Sequence, residues 1–238
     1  MRVVSLVPSV TETLLAWGVV PVACTRFCEQ PDLLHVGGTK DPDIDAIVGL
    51  APDLVVMDEE ENRRDDADAL ALAGVPVHVT AVRSLGDVAP TLDALAAAAG
   101  AEARDRVTAA VPSAPSPGGA GPNPGGARRI TAFVPIWRRP WMTIGAGTYA
   151  SSLLDSIGVA NVYGDAGERY PTVTLEDAAA RRPDVVLAPS EPYPFGERHV
   201  PELERVAPVR LVDGRDVFWW GIRTGEARAR LAEAVGSS

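Results

Sequence analysis

The sequence predicts an α/β fold of two similar lobes, each with a mainly parallel sheet, and a ligand cleft between the lobes. Three observations carry this expectation. At roughly 150 residues per domain, 238 residues make one large domain or two small lobes, and 46% hydrophobic content is enough to bury a core. Residues 112–127 are a low-complexity Pro/Gly segment that can sustain neither helix nor strand, and they split the chain near its middle. Three sequence blocks recur in the same order on either side of that segment.

The first block, Arg2-Val-Val-Ser-Leu-Val-Pro8, reads as a buried strand and matches Arg129-Ile-Thr-Ala-Phe-Val-Pro135. The second, Leu14-Leu-Ala-Trp-Gly-Val19, resembles Leu154-Asp-Ser-Ile-Gly-Val159, and a short apolar run follows each. The third runs from Ile44 to Pro52-Asp-Leu-Val-Val56 and matches Leu175 to Pro183-Asp-Val-Val-Leu187. Its Pro-Asp pair ends a helix and opens the β-branched run that a buried parallel strand needs. Each half thus reads strand, helix, strand, helix, strand, with a period too long for a solenoid. The first lobe continues with a helix over Asn62–Ala73, a strand over Val75–Thr80, a helix from a Ser84 cap to Ala99, and a further helix over Ala101–Val111. The second continues with a helix near Glu197–Arg205, a strand at Val209–Val212 and a last helix near Gly225–Val235. The domains are accordingly 1–83, a connecting region 84–128 with an exposed flexible segment, and 129–238.

Charge and cysteine content narrow the partners. Lys plus Arg is 22 and Asp plus Glu is 32, a net charge of −10. Such a surface repels phosphate backbones and anionic membranes, so no nucleic-acid partner is expected. No apolar run approaches the roughly 20 residues of a membrane span, so the chain is not an integral membrane protein. Cys24 and Cys28 cannot build a disulfide framework, and their spacing with His35 is poor for a metal, so they read as structural thiols. His78 reads as partly buried and His199 as exposed on a polar helix. Met1 runs straight into a stretch that reads as the first strand rather than as a signal peptide. The expectation is an extracytoplasmic chain if an export signal has been removed, and a cytoplasmic one if Met1 is the native start.

Ligands of open α/β sheets bind beyond the carboxyl ends of the strands, which directs attention to the loops there. Of the 13 aromatic residues, only Trp17 and Phe27 precede the Pro/Gly segment; Trp137, Trp141, Tyr170, Trp219 and Trp220 are among those in later loops. Large rigid faces in polar loops suit a flat apolar ligand, although single aromatics also anchor loops. Adjacent Trp219 and Trp220 on an extended segment point to opposite sides, so one of them faces a cleft or partner. After the strand ending at Met57, Asp58, Glu60 and Asn62 form a polar cluster that either meets ligand polar groups or opens a helix, where acids suit the positive dipole end. No nucleophile elbow, Walker loop, dinucleotide fingerprint or zinc-protease motif is present.

The stretches Arg2-Val-Val-Ser-Leu-Val-Pro-Ser-Val-Thr-Glu12, Val36-Gly-Gly-Thr-Lys-Asp-Pro-Asp-Ile-Asp45, Pro52-Asp-Leu-Val-Val56 with Glu60-Glu-Asn-Arg63, and Pro183-Asp-Val-Val186 resemble the helical-backbone metal receptors. These are the substrate-binding proteins of ABC importers for cobalamin and ferric siderophores. The resemblance covers nearly the whole chain. It implies two Rossmann-like lobes joined by a helix that clamp a chelate without chemistry: no enzyme, no catalytic residue, no intrinsic cofactor and no protein-held metal. The implied ligand is a corrinoid, haem or ferric siderophore, and the implied partner an ABC permease. By motif position Asp45 and Glu176 would dock on the permease, each seven residues before its Pro-Asp (Pro52 and Pro183). Phe27 and Tyr170 fall at ligand-contacting positions. Thr39 and Asp58 stand where cobalamin binders tend to carry Trp, and with the acidic loop at 58–61 and Arg223 they point to a ligand more polar or cationic than a corrin. Asn62, Lys40 and Arg223 would fix its polar ends. Ala101–Val111, at 1.5 Å per residue, spans only about 16 Å, so the Pro/Gly segment replaces the rest of the backbone helix. The alternative on the same two-lobed fold is a cytoplasmic ligand carrier or sensor, or a biosynthetic enzyme.

Overall fold

The computed structural model describes residues 1–100 and 129–236, which fall into two compact units. The first holds residues 1–82, 87–100 and 220–223; the second holds 83–86, 129–219 and the residues from 224 on. The expected helix at Ala101–Val111 and the Pro/Gly segment lie outside the described residues.

In the first unit the elements run β1 (Val3–Ser5), α1 (Pro8–Ala16), β2 (Ala23–Cys24), β3 (Leu34–His35), α2 (Ile44–Gly49), β4 (Leu54–Asp58), α3 (Arg64–Leu72), β5 (Val77–Thr80) and α4 (Leu85–Ala99), whose first turn belongs to the second unit. The sheet is parallel throughout, in the order β3-β2-β1-β4-β5. β1 and β4 are buried along their whole length, as apolar strands covered on both faces must be. Leu6, Ile47, Met57 and Leu70 fill one face of the core.

The second unit runs β6 (Ile130–Phe133), β7 (Pro135–Trp137), β8 (Trp141–Thr143), α5 (Tyr149–Ser156), β9 (Val159–Asn161), β10 (Thr172–Val173), α6 (Leu175–Ala180), β11 (Val185–Pro189), a 3-10 turn (Glu197–His199), α7 (Val200–Leu203), β12 (Val209–Val212), α8 (Gly214–Phe218) and α9 (Thr224–Gly236). Its parallel sheet has the order β12-β11-β6-β9. This is the first unit's β5-β4-β1-β2 over again, so the sequence repeat is a repeat of topology. A small antiparallel sheet, β10-β8-β7, is added to the second unit only.

Backbone chemistry explains why those blocks recur. Gly18 and Gly158 close α1 and α5 in the left-handed region, at φ 77° and 81°, where only glycine is unstrained. Ala51 and Arg182, immediately before the two Pro-Asp pairs, both have positive φ. The aspartates that follow cap the neighbouring strand. The Arg2 backbone N–H donates to Asp53 Oδ2 at 2.6 Å, and that of Thr131 to Asp184 Oδ2 at 2.8 Å. In return Asp53 N donates to Arg2 O and Asp184 N to Thr131 O. These pairings also correct the sequence alignment of the halves. Val3 pairs with Leu54, and Ala132 with Val185, so Val3 corresponds to Ala132 rather than Ile130. The slip is two residues, which keeps every side chain on its own face and is therefore invisible to a hydrophobic pattern.

Other differences are local. β3 and β10 are two-residue strands, too short to show a period, and the β7–β8 hairpin lies in a stretch read as loop. α3 starts at Arg64 rather than Asn62, because the Asn62 side chain is bonded elsewhere. The expected helix over Glu197–Arg205 divides into the 3-10 turn and α7, and α8 occupies part of the segment expected as a loop. No helix among the described residues is long and apolar enough to cross a membrane.

Candidate functional site

In each parallel sheet the chain leaves its first strand toward one edge and returns to the other side of it, so β1/β4 and β6/β11 are the switch points at which open α/β sheets bind ligands. The carboxyl ends of these strands carry most of the residues singled out by the sequence.

In the first unit, Asn62 ties three segments together. Its Nδ2 donates to Leu6 O at 3.2 Å, beyond β1, and to Thr39 O at 2.9 Å, in the Gly-Gly-Thr-Lys turn; its Oδ1 accepts the Asp58 N–H at 2.8 Å. Asp58, at the end of β4, is buried. Its Oδ1 accepts the Glu60 N–H at 2.9 Å and its Oδ2 the Thr80 hydroxyl at 2.7 Å. Burial raises its pKa against the pull of these donors. Lys40 Nζ donates to Glu60 O at 2.6 Å, closing the turn onto the 58–62 loop. Thus Thr39, Lys40, Asp58, Glu60 and Asn62 come together as one network, with the polar atoms of Asp58 and Asn62 engaged within it. Beside it, Arg26 pairs with Asp41 at 3.0 Å and lies 4.8 Å from the Phe27 ring centroid. Gly38 lies so close to that pair that a Cβ would meet both side chains. Phe27 is 50% exposed, an apolar face left at the surface.

In the second unit the hairpin and the loop after β11 build a connected aromatic row. Trp137, 45% exposed, meets Tyr193 edge-on at 5.6 Å; Tyr193 lies 4.8 Å from Phe195, which stacks on Trp141 at 5.9 Å and 7°. His199 packs edge-on against both Tyr193 and Phe195, and its Nδ1 accepts the Gly196 N–H at 3.1 Å. It is buried, correcting the expectation of an exposed histidine on a polar helix; the loop folds its rings back over that helix. Arg138 Cζ lies 6.0 Å from the Trp141 ring, and Arg138 Nε donates to Glu202 Oε2 at 2.8 Å.

Tyr170, 36% exposed, lies on the loop held against the hairpin by Gly145 N donating to Arg169 O at 2.7 Å. A Cβ on Gly145 would collide with the Glu168 carbonyl oxygen. Gly145→Ala is therefore expected to displace the Tyr170 loop at a cost of about 1–3 kcal/mol, the usual range for overpacking. Urea unfolding reads the cost.

The remaining candidates are placed as follows. Trp220 is buried (6% exposed), while Trp219, the residue that ends α8, is half-buried. Arg223 pairs with Glu12 of α1 at 2.5 and 2.7 Å, and Thr13 Oγ1 accepts the Ile222 N–H at 3.3 Å. Trp220–Arg223 is thereby bound into the first unit. Asp45 and Glu176 occupy the same place in α2 and α6, the first turn, exposed, one residue beyond the helix's first. Glu176 pairs with Arg205 at 3.5 Å. Arg26, Arg138 and His199 are contributors that sequence reasoning missed; the only signal was that each arginine adjoins or nearly adjoins an aromatic.

Among the described residues, no group of three or more His, Cys, Asp or Glu side chains could hold a metal ion. A cavity of about 300 Å³ lined by Arg129, Asp184, Pro208 and Arg210 lies at the amino ends of β6, β11 and β12, away from these loops.

Two doubly wound units, each with its polar and aromatic side chains at the switch point, are the architecture of a ligand-binding protein. The chain belongs to the periplasmic binding protein family, whose model matches residues 3–200. It is 26% identical over 190 residues to the vitamin B12-binding protein of Salmonella choleraesuis (strain SC-B67), covering 78% of this chain and 71% of that protein. Among solved structures, its fold is similar to that of the periplasmic vitamin B12 binding protein of Vibrio cholerae (TM-score 0.76, 19% identity, 98% of this chain and 96% of that one). It is likewise similar to a periplasmic heme binding protein from Pseudomonas aeruginosa (TM-score 0.78, 19% identity, 100% and 93%).

Proposed function

We propose that this chain is the extracytoplasmic receptor of an ABC importer and that its ligand is a metal chelate, a corrinoid or haem-type molecule or a ferric siderophore, bound without chemistry. The observation that carries this reading is the exposed aromatic surface at the switch-point loops, Trp137 with Tyr193 in the row and Tyr170 beside it, in a chain of this family. Phe27 with Arg26 offers a second such face, with a cation beside it that suits carboxylates on the rim of a macrocycle. Asp58 and Asn62 act by shaping their loop, since their polar atoms are engaged there; Thr39, Lys40 and Glu60 line its outer side. Trp141 backs the exposed rings through its stack on Phe195, while Arg223 holds the segment that begins at Trp220 on α1. The metal arrives and leaves with the ligand, so the protein needs neither a metal site nor a cofactor.

Asp45 and Glu176 would meet arginines of the permease. Their identical placement in the two units supports this, and such charges act mainly on orientation and on-rate.

Titration of the protein with cyanocobalamin, haemin and a ferric hydroxamate, followed by tryptophan fluorescence and calorimetry, tests the proposal. One of the three is expected to bind below the millimolar range, and Trp137→Ala to weaken it by about 30-fold, the scale of a binding hot spot. Absence of binding by all three overturns the reading.

A further inference from the structure

The buried start of α1 carries donors that the protein does not answer. α1 follows β1 after Leu6 and Val7, so it opens at the carboxyl end of a strand that flanks the switch point. Val7 stands at the N-cap without a capping side chain, and Pro8 occupies the first turn. The N–H groups of Ser9 and Val10 meet no acceptor among the described residues. Ser9 is only 5% exposed and Val10 is fully buried. A buried helix end of this kind is completed from outside the helix, by water or by a ligand. The corresponding helix of the second unit differs: α5 is closed by Thr148, whose hydroxyl oxygen accepts the Ser151 N–H at 3.3 Å.

The Ser9 side chain adds a second donor at the same place. Its carbonyl accepts the Thr13 hydroxyl at 2.9 Å, but its own Oγ has no hydrogen-bond partner among the described residues. The unpartnered side-chain atoms sealed from solvent there are Trp17 Nε1 and Asp66 Oδ2. Ser9 Oγ is not one of them, so it keeps a narrow opening. Helical Cα–Cβ bonds tilt toward the amino end, which carries a first-turn side chain out to where the N–H groups point. The hydroxyl and the N–H of one residue thus face one small space, with room for an atom rather than a ring.

We infer that the amino end of α1 is a binding site for one oxygen of a carboxylate, held by the Ser9 N–H and hydroxyl and favoured by the positive end of the helix. The acceptors beside it are already used: Val7 O takes the Thr11 N–H and hydroxyl, and Leu6 O takes the Asn62 amide. A cation therefore finds nothing to bind. Arg223 is committed to Glu12, so neutral donors define the site, and one negative charge matches it better than the two of a phosphate. Which molecule brings the carboxylate rests on the receptor reading proposed above; the site itself does not.

Nuclear magnetic resonance of the isotope-labelled wild-type chain, titrated with sodium acetate at an ionic strength held constant with sodium chloride, tests the inference. The Ser9 amide signal is expected to move to higher proton frequency as its hydrogen is engaged, and to saturate at roughly 100 mM acetate or below, the range for so small a ligand. Acetamide, of the same shape but uncharged, should bind about tenfold more weakly, because hydrogen bonds to a charged acceptor are about twice as strong. Ser9→Ala should weaken acetate binding about tenfold, the scale of one hydrogen bond to a charged group. It should leave the melting temperature unchanged, since the hydroxyl makes no bond within the protein. An unmoved Ser9 signal in the wild-type chain, a shift that sodium chloride alone reproduces, or equal affinity in Ser9→Ala would each overturn the inference. The wild-type titration needs no variant to fold. An acetate shift in a chain that binds none of the three chelates supports the site and removes the receptor reading, while chelate binding without an acetate shift removes the site alone.

Discussion

Replacing Asn62 by Asp should cost the protein about 3 kcal/mol or more at neutral pH. The buried amide group donates to Leu6 O and Thr39 O. Leaving a buried acceptor unpaired costs about 1–3 kcal/mol each. A carboxylate would also face those oxygens and sit near Asp58, with no cation in the network to offset it beyond Lys40, which is bonded to Glu60 O. The sign of the pH dependence follows. Burial without a cation raises the pKa of the new carboxyl in the folded state, so its penalty is absent where the group is protonated in both states. The penalty grows as pH rises above the ordinary carboxylate value of about 4. Urea unfolding at several pH values measures this. An Asn62→Asp variant as stable as the parent at neutral pH would show that the network does not hold the loop. Because the 39–40 turn hangs from the same amide, the variant should also weaken ligand binding at neutral pH.

Phe133→Ala is expected to cost about 3–5 kcal/mol, the range for deleting a buried aromatic ring. Phe133 is fully buried at the end of β6, 6.0 Å from the Tyr163 ring, in the cluster that contains Val186, Leu203 and Phe195. Its loss leaves a cavity directly beneath the aromatic row, since Phe195 belongs both to that cluster and to the stack on Trp141. Phe133→Leu keeps most of the volume and should cost far less. Thermal unfolding separates the two, at about 2–4 °C per kcal/mol for a chain of this length. Equal melting temperatures for the two variants would mean that the ring does not fill the core as described.

The fold was legible because its signals are periodic or chemical. The two Pro-Asp pairs encode a helix stop, a β-branched strand and an aspartate that caps the strand beside it, and all three are visible in one line of sequence. The apolar pattern places Val209–Val212 to the residue and α9 to within one residue at each end. What was lost has physical reasons. Two-residue strands such as β3 show no alternation, and the β7–β8 hairpin has an Arg-Arg-Pro turn without the glycine that usually announces one. At the site, the sequence marks which residue types gather but not which atoms are already engaged. Asn62 and Asp58 look like ligand contacts because they are polar and follow a strand; the structure turns their polar atoms into the loop. His199 looks exposed because its sequence neighbours are charged, yet Tyr193 and Phe195 cover it from an earlier loop.

The strap Trp220–Arg223 has a consequence for the order in which the molecule can be made. The first unit includes these residues, and Arg223 completes the Glu12 pair on α1. A nascent chain emerging from the ribosome therefore presents the sheet of the first unit long before the segment that completes that unit. Assembly of the earlier-made half waits on residues 220–223, translated after nearly all of the second unit, so a stop before Trp220 would leave the first unit unfinished as well.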